Sequence, residues 1–535
     1  MGIEEYDAVV IGAGVAGLYQ LIRLRRLGMS ARVLEAGDGV GGTWYWNRYP
    51  GCRFDSESWT YGYFFDPELL DEWHWSEHFA PQPETLRYLN HVADRFDLRR
   101  DITFEARVAS AHWDDAATRW TVTTTDGRTY RSRFVITAIG ALSTPIMPNI
   151  PGVDRFRGES HHTARWPHEP VSFEGKRVGV IGTGATGVQT IQEVAKTAGH
   201  LTVFQRNPNW CAPLHNRPIS DDEQAQIRED YEQIMERCRQ NYGGFVHETD
   251  KRNAVDVDEA EREAVFQRLY DSPGFGIWMG NFRDVLVNED SNRLMSDFLA
   301  RKIRERVQDP ETAERLIPRN HGFGTRRVPL ETNYYEVYNQ DNVRLVDLRD
   351  TPITEITETG VRTTAGDVEL DMIVYATGFD AVTGAFDRID IRGVDGERLA
   401  DHWADGPRTY LGLNIPGFPN LFTIVGPHNA ATFCNMTRCI EQNVEWISDL
   451  LAHMQANGQQ RIVSTPEAEQ AWTDHVFESG EKLLFTKVDS WFMGVNKNLE
   501  GRTEKRFVLY AGGAPQYRSR CDDVAEDDYR GFVLQ

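Results

Sequence analysis

The sequence is poor in cysteine and has no long apolar run. Its 535 residues include six cysteines, scattered rather than clustered. That scatter predicts free thiols in the reducing cytoplasm, not a disulfide framework. No run approaches the about 20 consecutive apolar residues of a membrane helix, and we expect no signal peptide, so the sequence predicts a cytoplasmic protein without a membrane partner. The cysteines are Cys52, Cys211, Cys238, Cys434, Cys439 and Cys521.

Basic residues are also in deficit, which leaves a formal net charge of −23 at pH 7. Nucleic acids and anionic membranes bind basic protein faces, so the charge argues against both as partners. No Cys/His cluster has metal-ligand spacing, and we predict no metal site. A charge of this size favours solubility, and we predict a monomer.

The most informative feature that is present is a glycine-rich turn that occurs twice. The first copy runs from Gly12 through Gly14 to Gly17, and the second runs from Gly182 to Gly187. Each copy follows a β-branched apolar run and opens a helical pattern, which is the context that a Gly-x-Gly-x-x-Gly motif requires. The glycines allow a tight turn, a close approach to a pyrophosphate, and close packing of the helix on the strand. Two such turns predict two dinucleotide cofactors that must meet.

The two copies differ at the end of the second strand of each unit. The first strand ends in Glu35, whose carboxylate accepts hydrogen bonds from a free ribose and repels a 2′-phosphate. The second is followed by Arg206, whose guanidinium matches a 2′-phosphate in charge and geometry. Arg206 could also be a solvated charge at a strand end. FAD at the first site and NADP at the second is the better interpretation.

The chain order predicts an α/β fold with two Rossmann-like dinucleotide-binding domains and a helical insertion. Both apolar strands that end near Gly140 and Gly378 would carry the chain between the domains. Residues 379–535 would return to the first domain and include a mobile loop near 489–505. The predicted parts are 1–144 and 379–535 for the FAD domain, 152–214 and 326–378 for the NADP domain, and 215–325 for the insertion.

Two further segments carry a resemblance to a known family. The pattern Phe-x-Gly-x-x-x-His-x-x-x-Trp-Pro is met by Phe156, Gly158, His162, Trp166 and Pro167. A second pattern, Gly-Gly-x-Trp-x-x-x-x-Tyr-Pro-Gly-x-x-x-Asp, is met within residues 41–55. With both patterns the chain resembles the type I Baeyer–Villiger monooxygenases, over essentially its whole length. Its sequence is most similar to the phenylacetone and steroid monooxygenase branch.

The resemblance implies oxidation of a ketone to an ester or lactone with NADPH and O₂, through a flavin C4a-peroxide. It identifies Arg327, in Gly324-Thr325-Arg326-Arg327, as the cation that stabilises the peroxide anion. Arginine suits this role because it cannot lose its proton and quench the anion as an acid would. Asp55 would orient Arg327, and Arg326 would join Arg206 on the 2′-phosphate. Arg326 could instead belong to a surface ion pair.

The remaining predicted site residues follow from the same motifs. Trp491 matches a family tryptophan on a loop that closes over NADP, although residues 496–502 depart from the usual pattern. The substrate pocket is predicted at Thr432, Phe433 and Cys434, where this chain also departs from its relatives. The predicted cofactor-binding set is Gly12, Gly14, Gly17, Glu35, Gly42, Thr43, Trp44, Tyr49, Asp55, Gly182, Thr183, Gly184, Thr186, Gly187, Gln189, Arg206, Arg326, Arg327 and Trp491.

Three other functions compete with this interpretation. A flavin monooxygenase that oxidises nitrogen or sulfur is disfavoured by Trp166, where such enzymes have Phe or Tyr. A flavin disulfide reductase uses a Cys-x-x-x-x-Cys pair shortly after the first glycine-rich turn. Here that spacing occurs only at Cys434 and Cys439, far along the chain, and we interpret it as coincidence. An inactive flavin-binding partner protein is disfavoured by the intact Arg327 and Asp55.

Overall fold

The computed structural model describes residues 3–429, 434–496, 498, 499, 502 and 504–535. Within this part of the chain, no helix is both long enough and apolar enough to cross a membrane. The strands, in chain order, are β1 (Glu4–Ile11), β2 (Ala31–Leu34), β3 (Ile102–Thr103), β4 (Val108–Asp114), β5 (Arg119–Thr124), β6 (Thr129–Thr137), β7 (Glu159–His162), β8 (Arg177–Ile181), β9 (His200–Gln205), β10 (Ala212–Pro213), β11 (Leu330–Glu331), β12 (Val343–Asp347), β13 (Ile353–Thr357), β14 (Gly360–Thr363), β15 (Gly366–Glu369), β16 (Met372–Tyr375), β17 (Asp390–Arg392), β18 (Leu421–Thr423), β19 (Ile462–Ser464) and β20 (Phe532–Leu534).

The α-helices alternate with these strands or form separate groups. They are α1 (Val15–Arg26), α2 (Thr43–Trp46), α3 (Ser58–Tyr61), α4 (Pro67–Glu72), α5 (Gln82–Arg95), α6 (Ala185–Val194), α7 (Asp221–Glu229), α8 (Tyr231–Gln240), α9 (Glu259–Tyr270), α10 (Gly276–Met279), α11 (Glu289–Arg306), α12 (Pro310–Leu316), α13 (Leu399–His402), α14 (Met436–Ala456), α15 (Pro466–Gly480) and α16 (Ala514–Glu526).

The first sheet contains eight strands in the order β17-β4-β5-β6-β1-β2-β3, with β18 paired to β6. Its centre is parallel, since β1 pairs with both β2 and β6 in that sense. Alternate residues of β1 bury on opposite faces, with Val10 in one apolar cluster and Val9 and Ile11 in another. A strand covered on both faces explains the nearly continuous apolar run that precedes the first glycine-rich turn.

The second sheet is entirely parallel, with the order β12-β9-β8-β16-β7. Helix α6 follows β8 through the second glycine-rich turn, just as α1 follows β1. Strands β17 and β18 come after this sheet in the sequence but pair with β4 and β6 of the first sheet. The chain therefore enters the second unit once and returns to the first.

One buried histidine ties together the two segments that run between the sheets. Nε2 of His162 donates to the carbonyl of Ile146 at 3.1 Å, and Nδ1 accepts from the backbone N–H of Ala164 at 3.0 Å. The hydroxyl of Thr377, on the other crossing segment, donates to the same Ile146 carbonyl at 2.5 Å. Burial lowers the pKa of His162, so this ring is neutral and its two nitrogens have fixed roles.

Helices α7–α12 form a group between β10 and β11. Four of them, α7, α9, α11 and α12, are capped by the side-chain oxygens of Ser220, Asp258, Asn288 and Asp309, which accept hydrogen bonds from backbone N–H groups in the first turn. Such caps satisfy donors that a helix start leaves without partners. The group supplies side chains to the candidate site described next.

Candidate active site

The first glycine-rich turn faces a second backbone segment at very short range. A Cβ added to Gly14 would lie 3.3 Å from the Cα of Gly42, and one added to Gly42 would lie 2.8 Å from the Cα of Gly14. The carboxylate of Glu35 accepts from the backbone N–H groups of Ala13 at 2.7 Å and Gly37 at 2.8 Å. Glycine backbone without side chains at the start of α1 suits the pyrophosphate of a dinucleotide. The fixed carboxylate of Glu35 beside it suits the ribose.

The second turn leaves open space where the first has a neighbouring backbone. A Cβ added to Gly184 meets no atom of the described residues within 4 Å. Two predicted threonines are fixed around it, since Thr183 donates to the carbonyl of Asn207 at 2.9 Å and the hydroxyls of Thr186 and Thr163 lie 3.2 Å apart. The turn is therefore shaped by its surroundings and remains accessible to a ligand.

Tyr49 and Gln189, predicted from separate motifs, contact each other. The Tyr49 hydroxyl donates to Oε1 of Gln189 at 2.7 Å, and Nε2 of Gln189 donates to the carbonyl of Arg53 at 3.1 Å. Gln189 lies on α6 of the second unit, so the aromatic segment of the first unit packs directly on the second. Gln189 lies two residues after Gly187, the last glycine of the second turn.

Trp44 is fixed by its neighbours, while the adjacent Thr43 is exposed. The indole N–H of Trp44 donates to the hydroxyl of Tyr61 at 3.0 Å, and its ring contacts Phe54 edge-on at 5.6 Å. This cluster holds the segment that leads to Asp55.

The centre of the site is an ion pair between Arg327 and Asp55. Both terminal nitrogens of Arg327 donate to Oδ2 of Asp55, at 2.9 and 2.7 Å. Asp55 is 5% exposed, whereas the Arg327 side chain is 35% exposed, so the pair presents its cation outward. Burial raises the pKa of Asp55, and the charge of Arg327 opposes that rise. A carboxylate from the first unit thus holds an arginine that follows the second glycine-rich turn.

Arg206 and Arg326 lie close together and contact neutral oxygens. Arg206 donates to Oδ1 of Asn498 at 2.9 Å, and Arg326 donates to the backbone carbonyl of Asp489 at 2.9 Å. Nε of Arg326 is buried and has no hydrogen-bond partner among the described residues. Burial lowers the pKa of Arg206, and burial together with the charge of Arg206 lowers the pKa of Arg326. Two adjacent cations of this kind suit a dianionic phosphate.

The segment around Trp491 contacts both of these arginines. Asp489 and Asn498, which flank Trp491, are the residues that accept from Arg326 and Arg206. Trp491 itself is half-buried in a short 3₁₀ helix (Trp491–Met493) against Phe492, with ring centroids 4.5 Å apart. This tryptophan therefore lies in the chain between the two contacts.

The predicted substrate segment is described only in part. Thr432 and Phe433 lie outside the described residues, and Cys434 is the first residue after them. The neighbouring His428 is fully buried, and its Nε2 donates to the carbonyl of Phe507 at 3.1 Å. Burial lowers the pKa of His428 to about 4, so the ring is neutral.

The prediction of free thiols at Cys434 and Cys439 is wrong, because the two form a disulfide. Asn435 anchors the turn between them, since its N–H donates to the carbonyl of Gly243 at 2.6 Å and its side-chain amide donates to Thr60. Helix α14 begins at Met436 and brings the Cα atoms of the two cysteines within 6.5 Å, a separation that a disulfide can span. Spacing alone could not show this local geometry.

The disulfide predicts a thiol count. Denatured, unreduced protein should titrate four thiols per chain, those of Cys52, Cys211, Cys238 and Cys521. Reduction should raise the count to six. The double variant Cys434→Ser/Cys439→Ser should give four in both conditions. Six thiols in the unreduced parent protein would contradict the assignment.

Phe275 contacts the site but was missed by the sequence analysis. Its ring centroid lies 5.3 Å from Cζ of Arg327. It precedes α10, in the helical group, and no motif marks it. A glycine on each side of an aromatic residue, Gly274 and Gly276, is the only local signal.

The chain matches a family model for pyridine nucleotide-disulphide oxidoreductases over residues 9–270. It is 49% identical to 2-oxo-Delta(3)-4,5,5-trimethylcyclopentenylacetyl-CoA monooxygenase of Pseudomonas putida, over 99% of this chain and 98% of that one. It is 45% identical to acetone monooxygenase (methyl acetate-forming) of Gordonia sp. strain TY-5, over 100% of both chains. The crystal structure of OTEMO in complex with FAD and NADP matches with a TM-score of 0.96, at 49% identity over 100% of both chains.

These similarities span the whole chain, and one relative is named for forming methyl acetate from acetone. The chain belongs to the Baeyer–Villiger monooxygenases. This finding confirms the family and the fold class predicted from the sequence. In this Baeyer–Villiger monooxygenase, the second glycine-rich turn leads into α6, whose Gln189 contacts Tyr49 in the segment that ends at Asp55.

Proposed function

We propose that this protein uses NADPH and O₂ to convert a ketone to an ester or lactone. The observation that carries the proposal is the Arg327–Asp55 ion pair, which joins the two nucleotide units and presents a cation outward. FAD, when bound and reduced by NADPH, supplies the oxygen-transfer chemistry. The glycine backbone at Gly14 and Gly42 fits FAD, and the buried Nε of Arg326, which has no partner in the described part of the chain, fits the phosphate of NADP.

Arg327 stabilises negative charge that develops on oxygen during transfer to the carbonyl. A guanidinium is permanently protonated, so it offers charge without donating a proton that would quench the nucleophile. Asp55 fixes the orientation of the guanidinium through two hydrogen bonds. Placing a preorganised cation where charge develops is a large source of rate enhancement.

The remaining assignments concern NADP and the substrate. Arg206 and Arg326 bind the 2′-phosphate, and the segment from Asp489 to Asn498, with Trp491, closes over the nucleotide. Cys434 borders the substrate pocket. The enzyme works in the cytoplasm as a monomer. Sedimentation analysis of the purified protein would check its oligomeric state.

The experiment that tests the function is a panel of linear, cyclic and aryl ketones, with a sulfide and a tertiary amine as counter-substrates. Mass spectrometry after incubation with NADPH and ¹⁸O₂ should find one labelled oxygen atom in an ester or lactone. Labelled sulfoxide or N-oxide with no ester would favour the heteroatom-oxidising alternative. No oxygenated product from any substrate, despite bound FAD, would favour an inactive partner protein.

The first glycine-rich turn gives a prediction about colour. Gly14→Ala places a methyl group where the pyrophosphate must approach, so the variant should be purified largely without FAD and nearly colourless. Gly184→Ala is the matched control. It has room for the methyl group in the protein and should keep FAD while its KM for NADPH rises. The ratio of absorbance at the flavin and protein bands measures occupancy, and full occupancy in Gly14→Ala would show that the first site is misplaced.

A further inference from the structure

Arg327 is held by an ion pair on one side and by an aromatic ring on the other. On one side, Asp55 accepts both of its terminal N–H groups. On the other side, the ring of Phe275 lies with its centroid 5.3 Å from Cζ of the guanidinium. That distance is within the range of an attractive cation–π interaction. The carboxylate alone leaves the guanidinium plane free to swing about one oxygen atom, and an aromatic face removes that freedom.

The ring itself has little freedom. Phe275 is 5% exposed, and its ring contacts Phe245 at 5.4 Å and Trp278 at 5.6 Å, both in edge-on arrangements. Aromatic pairs in this geometry are mutually stabilising. A ring fixed on its edges presents a fixed face to Arg327.

The backbone on either side of Phe275 is also tightly packed. A Cβ added to Gly274 would lie 3.0 Å from Oε1 of Glu57, and one added to Gly276 would lie 3.4 Å from Nδ1 of His247. Nε2 of His247 lies 2.8 Å from the same Glu57 oxygen, and both side chains are largely buried. Glu57 follows Asp55 by two residues. One short segment therefore holds Arg327 directly and contacts the loop that carries Phe275.

Trp278 makes a second contact with the arginine-bearing motif. Gly324 has a φ of +71°, and a Cβ added there would lie 2.6 Å from Nε1 of Trp278. Only glycine permits this close approach and this backbone conformation together. The turn formed by Phe275 and Trp278 thus contacts both Gly324 and Arg327.

We propose that Phe275 is a positioning residue, whose ring face orients the Arg327 guanidinium for oxygen transfer. The inference rests on the proposed function, and it assigns to the helical group a role in the reaction itself. Losing one cation–π contact of this kind corresponds to about a 2- to 30-fold change. The loss should show as oxygen diverted to hydrogen peroxide rather than as weaker cofactor binding.

The test compares Phe275→Leu, which keeps apolar bulk but removes the ring face, with Phe275→Tyr, which keeps the face. Ester and hydrogen peroxide formed per NADPH consumed are measured for both variants and the parent. Phe275→Leu should lower the ester-to-peroxide ratio by about 2- to 30-fold at unchanged FAD content and KM for NADPH, and Phe275→Tyr should stay near the parent. In an Arg327→Ala background, Phe275→Leu should have no further effect, since residues that act through one group are not additive.

Equal ratios in Phe275→Leu and the parent would overturn the proposal, and so would equal losses in the Leu and Tyr variants. Additive effects with Arg327→Ala would also overturn it. Crystal structures of the parent and Phe275→Leu provide a readout that does not need turnover. The Leu variant should show the guanidinium displaced from Oδ2 of Asp55, and an unmoved guanidinium counts against the proposal. If the parent makes no ester, the proposed function fails while these structures still decide the role of Phe275.

Discussion

Replacing Arg327 with alanine is expected to lower ester formation by roughly 10²–10³-fold while NADPH oxidation continues. A cation about 4 Å from a developing anion is worth roughly 4 kcal/mol at an effective dielectric of 20, and the observed rate loss for one stabilising group is of that order. FAD and NADPH should still bind, because their predicted contacts lie mainly elsewhere. Oxygen should then be released as hydrogen peroxide.

The measurement follows NADPH, peroxide and ester in one reaction. Arg301→Ala is a matched control, because Arg301 also pairs with a carboxylate, Glu263 at 2.6 Å, and lies over an aromatic ring, Phe298 at 5.6 Å. It is half exposed on α11, and its loss should leave the ester yield unchanged. If Arg327→Ala makes ester at the parent's coupling efficiency, Arg327 is a structural charge and the proposed mechanism is wrong.

The parent enzyme should prefer NADPH over NADH by roughly 100-fold or more. Each charge-assisted hydrogen bond to a phosphate contributes about 1.5–3 kcal/mol, and Arg206 and Arg326 can each supply at least one. The preference should fall about tenfold or more in either alanine variant and should disappear in the double variant. The losses should appear mainly in KM for NADPH.

Steady-state kinetics with both nucleotides decides this prediction. The internal control is kcat/KM for NADH, which lacks the phosphate and should change little in the variants. Equal efficiency with NADH and NADPH in the parent would remove the assignment of both arginines. A loss with both nucleotides alike would instead indicate that the arginines support the loop around Trp491.

The sequence predicted the parts of the site that depend on short motifs. Gly14, Glu35 and Gly184 are recognisable because phosphate and ribose binding demand particular residues at fixed spacing. The pairing of Asp55 with Arg327 came from a family resemblance, and the structure brings the two side chains within 2.7 Å. The domain boundaries and residue roles stay predictions.

What the sequence missed depends on contacts between distant segments. Phe275 reaches Arg327 only because the helical group folds against the first unit, and no local pattern carries that information. The disulfide between Cys434 and Cys439 was missed for a different reason. Its formation depends on how Asn435 anchors the start of α14. The number and scatter of the cysteines indicate only whether the protein belongs to a reducing or an oxidising compartment.

The histidine of the family fingerprint holds both chain crossings at one point, through Ile146 and Thr377. Two crossing segments joined side by side restrict the sliding of one nucleotide unit past the other more than two separate linkers would. The two crossing segments are therefore joined to each other at His162, in addition to the contacts that Asp55 and Gln189 make between the units. The motif that identifies the family thus has a structural role, because its histidine holds the two crossing segments side by side.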